Sequence, residues 1–458
     1  MAGGIMETPI VDFVKGYNKN DMTRFHMPGH KGHVFFGCEP FDITEIKGAD
    51  VLRGGDGIIH DSQKNAAVLF GSGASFYSTE GSTLCIKAML AILKIAHGAC
   101  ADGVRPYLLA ARNVHRSMMD ACALLDLDLC FLQSQAGTNI CSSLVCAETL
   151  EETLCSCNTL PLGVYVTSPD YLGQMADLAT LSRVARKWGV PLLVDNAHGA
   201  YLHFLEQKLH PMDFGAAMCC DSAHKTLPVL TGAAYLHIHK DYLAQFAPYA
   251  EQALSLFSST SPSYLLLQSL DLCNVYLAGE YQEKLKELTK IVQDLKEELR
   301  RRGICVRDSE PLKIVIDTAE NGYSGVEIAE EMREYGIECE YADRQYVVLM
   351  VSAENEQRDW DRLFCWAENT RMVHLKKEAL LVSMVWNEKT EQVVSVREAV
   401  LAKSEWVPAR ESIGRVCAAG TISCPPAIPI AVSGERITEE MAELFLQFGM
   451  EQICVIKE

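Results

Sequence analysis

Two stretches of this chain carry ionisable side chains suited to covalent chemistry on a carbonyl. Leu193-Val-Asp-Asn-Ala-His198 supplies an acid, Asp195, and Cys220-Asp-Ser-Ala-His-Lys-Thr226 supplies an amine, Lys225. Each ends an apolar, strand-like run (190–194 and 216–220), so both groups fall where a parallel strand gives way to a loop. That is where open α/β sheets bind ligands. An amine able to form a Schiff base, together with a carboxylate able to pair with a protonated pyridine nitrogen, meets the two needs of pyridoxal 5'-phosphate.

Other groups fall at similar places. Ser78-Thr-Glu-Gly-Ser-Thr83 turns into a helix predicted over 84–96, and Ser82 and Thr83 with the free N–H groups of a helix start would suit a phosphate. The plainer account is a helix cap. His115, in Arg112-Asn-Val-His-Arg-Ser117, reads either as a cap or, from its place at a strand end on the same sheet edge as Asp195 and Lys225, as a site residue. Arg24-Phe-His-Met-Pro-Gly-His-Lys-Gly32 is a turn-rich loop dense in basic groups that could line a site. Cys155 and Cys157, and His237 and His239, lack a matching second half with zinc spacing, so no metal site is predicted.

The elements that must position these groups alternate. Strands are predicted at 107–111, 129–133 and 163–167, then from Val190, Ala216 and Ala233; helices are predicted over 115–125, 147–155 and 174–188. Near-continuous apolar strands between amphipathic helices predict an α/β fold with a mostly parallel central sheet and helices on both faces. Helices over 265–277 and 280–302 follow, the second with a solvated Glu/Lys face, and then a smaller β–α–β unit (312–317, 324–335, 347–351). A helix over 360–370, an apolar stretch over 380–386 and a tail with one helix, 438–448, end the chain. Residues 8–17 read as a short amphipathic turn or helix unable to bury its apolar side alone, expected to lie on another surface such as a second subunit. The predicted organisation is an N-terminal arm (1–24), a major cofactor-binding domain (25–270), a small α/β domain (271–370) and a C-terminal domain (371–458).

Composition narrows the classes. The chain has 458 residues, 48% apolar and 22% charged, which suits a soluble globular protein with a large core. No run of about 18 apolar residues suggests a membrane span, and no basic-then-apolar leader opens the chain, so a cytoplasmic location is expected. Its 18 cysteines sit mostly in apolar runs, as buried reduced thiols do. A net charge of -19 without a basic stripe argues against nucleic acid as a partner.

Taken in order, Phe25-His-Met-Pro-Gly-His-Lys-Gly32, Arg112-Asn-Val-His115, Val194-Asp-Asn-Ala-His-Gly-Ala200, Ser222-Ala-His-Lys-Thr-Leu-Pro228, Thr260-Ser-Pro-Ser-Tyr264 and Pro425-Pro-Ala-Ile-Pro429 resemble the Orn/Lys/Arg decarboxylases in their short bacterial form. The resemblance implies the fold of pyridoxal-phosphate-dependent transferases of fold type I. It also implies decarboxylation of a basic L-amino acid, arginine or lysine before ornithine, to an amine and CO₂. By the same resemblance Lys225 would bond the cofactor's aldehyde, Asp195 would hold the ring nitrogen protonated, and His115 would stack on the ring. His198 would line it, Ser82, Thr83, Ser222 and His224 would hold the phosphate, and the Thr260 loop would reach the phosphate of a neighbouring subunit. A homodimer or higher oligomer with shared sites is implied. The sequence departs from the family pattern at Asn196, where Glu is common, at Asp221 and Gly232, where Gln is common, and at Cys424, where Tyr is common. Another reaction on the same fold, a catalytically silent relative with a binding role, and a phosphate- or nucleotide-binding α/β enzyme are the competing readings.

Overall fold

A computed structural model describes residues 6–20, 22–98, 105–134, 140–375, 377–380, 390–419 and 428–458. Most of the 380–386 stretch, and Cys424 with the residues up to 427, lie outside them.

Seven strands, β1 (Ala74–Ser78), β2 (Tyr107–Ala110), β3 (Asp128–Phe131), β4 (Gly163–Thr167), β5 (Leu192–Asp195), β6 (Met218–Asp221) and β7 (Ala234–Ile238), form a sheet in the order β1-β7-β6-β5-β4-β2-β3. Every residue of β5, β6 and β7 is buried, the mark of strands covered on both faces. β2 pairs with β3, and β5 with β6, in parallel. β7 runs antiparallel to both of its neighbours, so the mostly parallel sheet contains one reversed strand.

The chain divides into two compact units, one from 1–104, 162–164 and 178–284, the other from 105–161, 165–177 and 285–458. In the first, the helix Gly81–His97 buries an unbroken run from Leu84 to Leu93 apart from Lys87. A helix apolar on nearly all sides must be covered on nearly all sides. One cover is the helix Leu243–Ser255, which the sequence reading missed because Pro248 interrupts its pattern.

The N-terminal helix Pro9–Lys19 lies on another surface, as expected, and that surface belongs to its own chain. It buries Ile10, Val11 and Val14 against the helices Ile58–Leu69 and Tyr264–Ala278 of its own chain, with no second subunit required. Asp271 anchors it. One carboxylate oxygen accepts the Ile10 and Val11 N–H groups, both at 3.0 Å, and the other accepts the Ser62 hydroxyl at 2.6 Å. The helix predicted over 174–188 is also shorter, Leu178–Lys187, because Asp170 accepts the Gln174 N–H and keeps that segment in a turn.

The second unit carries β8 (Val306–Arg307), β9 (Lys313–Asp317), β10 (Tyr341–Ala342) and β11 (Tyr346–Met350), ordered β10-β11-β9-β8 and wholly antiparallel. The expected β–α–β unit is therefore not a parallel one. After the helix Gly325–Glu334 the chain forms β10 and hairpins into β11, which reverses the direction of β11 against β9. β12 (Ser404–Pro408) and β13 (Gln452–Ile456) make a two-stranded ribbon. Arg112, 4% exposed, donates to Pro429 O, Ile430 O and the Glu435 carboxylate at 3.0–3.2 Å, tying the segment after β2 to the C-terminal region.

Burial pushes the Asp271 carboxyl up to about 6, although Ser62 and the Val11 and Ile10 N–H groups oppose this. Its ordinary value is about 3.9, so folding favours the protonated form. That contribution is complete below about pH 4 and is lost as pH rises through about 6. Wild type should therefore gain thermal stability relative to Asp271→Asn between about pH 7 and about pH 5, as read by melting curves of the two proteins.

Candidate active site

β5 and β6 are parallel neighbours with Asp195 in register with Cys220, and the Asn196 N–H donates to Cys220 O at 3.0 Å. The two chemistry-bearing stretches thus leave the sheet at the same edge, side by side. Asp195 is 2% exposed. Its Oδ1 accepts the Ala197 N–H at 3.2 Å and the Cys220 thiol at 3.6 Å. Burial raises the Cys220 thiol well above its ordinary range, so it keeps the proton it donates.

Beyond Asp195 the backbone closes a turn in which the Gly199 N–H donates to Asn196 O at 2.8 Å, and this carries His198. Beyond β6 the short helix Ala223–Thr226 carries Lys225. The two meet: Lys225 Nζ lies 2.9 Å from His198 Nε2. An amine beside an imidazole can pass a proton to it and so become a nucleophile.

The groups chosen for phosphate also converge, in part. Ser222 Oγ donates to Ser82 Oγ at 2.7 Å, joining the end of β6 to the first turn of the helix Gly81–His97. No side chain caps that helix start, and the Gly81 N–H donates to Gly232 O at 2.7 Å. Gly232 has φ +101°, which favours glycine and accounts for the absence of a longer residue there. Glu80 accepts the Ser259 N–H at 2.9 Å, drawing the exposed loop with Thr260 toward the same helix start. Thr83 is exposed as well. His224 donates from Nδ1 to Ala233 O at 3.0 Å, which leaves Nε2 as an acceptor unless the ring is charged.

His115 lies in the second unit. There it caps the helix Arg116–Leu125, its Nδ1 accepting the Ser117 N–H at 3.1 Å. In the loop after Arg24, His26 bonds to Tyr17 OH at 2.6 Å and His30 to Asp42 at 3.2 Å, so His26 is engaged with the N-terminal helix and His30 with the segment that follows the loop.

Sequence reasoning missed the surroundings of Asp221. This fully buried carboxylate accepts from Asn196 Nδ2 at 2.7 Å and His210 Nε2 at 2.9 Å. His237 Nε2 lies 3.3 Å away, off the line of a good hydrogen bond. A buried acid demands such partners, but nothing in the spacing of residues 196, 210, 221 and 237 says that they meet. Arg53 was missed too, in a stretch read only as a turn. Its Nη2 donates to Tyr77 O at 3.0 Å, one residue before the end of β1, while its buried Nε and Nη1 have no hydrogen-bond partner among the described residues.

A pyridoxal phosphate needs an amine, an acid for its ring nitrogen and donors for its phosphate. Lys225, the enclosed Asp195 and the Ser82–Ser222 pair at an uncapped helix start are that set of groups.

The profile of the Orn/Lys/Arg decarboxylase major domain matches residues 8–319, and that of the C-terminal domain matches residues 375–452. The chain belongs to the Orn/Lys/Arg decarboxylase family. It is 29% identical to a protein named arginine decarboxylase from Bacillus subtilis (strain 168), an alignment covering 95% of this chain and 92% of that one. It is 28% identical to an arginine decarboxylase of Halalkalibacterium halodurans, covering 94% and 91%. Among solved structures, the constitutive lysine decarboxylase of E. coli superposes with a TM-score of 0.76 at 17% identity, over 98% of this chain and 82% of that one. This decarboxylase therefore has the α/β fold of pyridoxal-phosphate enzymes of fold type I, as the motifs implied. No helix among the described residues is long and apolar enough to cross a membrane.

The turn that carries His198 has no room to spare. A Cβ at Gly199 would stand 2.1 Å from Asn196 Oδ1 and 2.6 Å from Leu202 Cδ1. Gly199→Ala should lower stability by about 1–3 kcal/mol, read as a fall in melting temperature.

Proposed function

We propose that this decarboxylase binds pyridoxal 5'-phosphate through Lys225 and removes CO₂ from a basic L-amino acid. The observation that carries the reading is the Lys225–His198 contact of 2.9 Å at the end of β6, with the buried Asp195 ending the adjacent β5. When bound, the cofactor supplies an electron-poor ring that can take up the electron pair left as the carboxylate departs.

The chain's own residues do the rest. His198 takes a proton from the Lys225 ammonium, which frees the amine to bond the aldehyde, and the same pair can return a proton to the substrate carbon. Asp195 places a negative charge against the ring nitrogen and raises its pKa, so the ring stays protonated. Ser82, Ser222 and Thr83 give hydroxyls to the phosphate at a helix start, where the dipole favours an anion. His224 joins them, its Nδ1 bonded to Ala233 O. By the family resemblance His115 would stack on the ring, and the Thr260 loop would reach the phosphate of a neighbouring subunit.

The names of the relatives favour arginine as substrate, with lysine next and ornithine third. Arginine would yield an amine of the kind from which polyamines are built, and the free thiols suit a reducing cytoplasm. Phe25, Phe35 and Phe36 are 93%, 75% and 94% exposed on neighbouring parts of one segment, more than a solitary chain usually leaves in water. They support a homodimer with shared sites.

Incubation with arginine, lysine and ornithine should release CO₂ and the matching amine from one of them. Lys225→Ala should lose both turnover and the visible absorbance of bound cofactor. A keto acid in place of CO₂, or normal turnover by the variant, refutes the reading. A Phe35→Ser/Phe36→Ser variant should shift the sedimentation coefficient toward that of a monomer, and an unchanged value counts against this contact.

A further inference from the structure

A second carboxylate stands behind the turn that carries Asp195 and His198. Asp221 ends β6 and is wholly buried, as are Asn196, His210 and His237, its three neighbours. His210 Nδ1 accepts the Met212 N–H at 3.3 Å, so its proton resides on Nε2, the atom 2.9 Å from Asp221 Oδ2. His237 Nδ1 is engaged with Ser75 Oγ at 2.7 Å, which turns Nε2 toward the same oxygen. Asp221 Oδ2 thus takes the His210 N–H with the His237 ring 3.3 Å away, while Oδ1 takes the Asn196 amide at 2.7 Å.

That bond sets the side chain of Asn196. Its remaining amide atom, Oδ1, is buried with no hydrogen-bond partner among the described residues, and flipping the amide would put that oxygen against the Asp221 carboxylate. Asn196 in turn fills the inside of the turn, since Gly199 has no room for a Cβ beside it.

His210, Cys219 and Asp221 are also close enough to suggest a metal site. The tautomer of His210 opposes this, because a nitrogen that bears a proton cannot ligate a cation.

We propose that Asp221 is a positioning residue of the active site: through Asn196 it holds the turn that presents Asp195 to the cofactor and His198 to Lys225. The proposal rests on the reading of that site as a pyridoxal-phosphate site. In that site Asp221 would act through Asn196 and not by contact with cofactor or substrate.

The test is a double-mutant cycle on pyridoxal phosphate affinity, followed by the absorbance of the bound cofactor, with Asn196→Ala, Asp221→Ala and the double variant. Melting curves of the apoproteins are recorded in parallel. If one acts through the other, each single variant weakens binding about tenfold or more and the double variant is no worse than the poorer single. Asp221→Asn, which keeps the shape of the clamp, should recover part of the loss. Should Asp221→Ala not fold, Asp221→Asn takes its place in the cycle and is judged by the same non-additivity. Effects that multiply in the double variant overturn the proposal, as do single variants that melt earlier yet bind cofactor like wild type. So does a stoichiometric metal in purified wild type that is absent from Asp221→Asn. Wild type that binds no pyridoxal phosphate sinks the reading of the site itself, whereas cofactor-binding wild type with multiplying effects sinks only the role of Asp221.

Discussion

The parallel pairing of β5 with β6 is the constraint on which the site depends. Parallel neighbours end on the same side of a sheet, so the acid that closes one strand and the amine just beyond the other leave the sheet together. Antiparallel pairing would send one of them to the opposite edge. β7, which is antiparallel to β6, contributes only its His237 side chain, from within the sheet. The full burial of all three strands makes this pairing costly to alter, because a shift in register would move apolar side chains and buried acids into places with no partners for them.

Buried carboxylates recur through the first unit, each with donors of its own. Asp195 has a backbone N–H and a thiol, Asp221 an amide and an imidazole, and Asp271 two N–H groups at a helix start and a hydroxyl. Their protonation differs accordingly. Burial raises Asp221, but the hydrogen-bonding and electrostatic pull of His210 and His237 outweighs it and holds the group well below the usual carboxylate range, whereas at Asp271 burial prevails over the Ser62, Val11 and Ile10 donors and lifts the carboxyl to about 6. The same physics in a buried setting thus gives one permanent anion and one acid that can hold a proton near neutrality.

The second unit uses charge differently. Lys313, fully buried, lies 3.7 Å from Glu310 and donates to Asp170 O at 3.2 Å, while burial lifts the Asp170 carboxyl to about 6 despite bonds from Ser142 and Gln174. Arg112 and Glu435 form a pair almost without exposure. Breaking one partner of such a pair leaves an uncompensated charge, which is more damaging than never having had the pair. These contacts fasten loops of widely separated sequence, 112 to 435 and 170 to 313, without chemistry of their own.

The longer strands of the two larger sheets and most of the helices were legible in the sequence, because runs such as 347–351 are apolar without a break and the helix 324–335 opens on a Ser-x-x-Glu cap, whereas the short β8 and β10 and the ribbon strand β12 carry no such run. Lys225 and Asp195 stood out in the sequence as ionisable groups where an apolar run stops and Ser82 as a hydroxyl at a helix start, and the family resemblance added roles for His198 and Ser222. The helix Leu243–Ser255 was hidden by its proline, and the docking of residues 9–19 on their own chain by the distance in sequence to Asp271. The antiparallel course of β11 could not be read either, since strand direction is set by the path of the connection rather than by composition. By itself, then, the sequence determined residue chemistry, local periodicity and the strand ends, all of which depend on near neighbours. Only the tertiary structure decided that Asn196, His210, His237 and Asp221 share one buried charge, because pairing between residues far apart in the chain follows from packing, which leaves no local pattern.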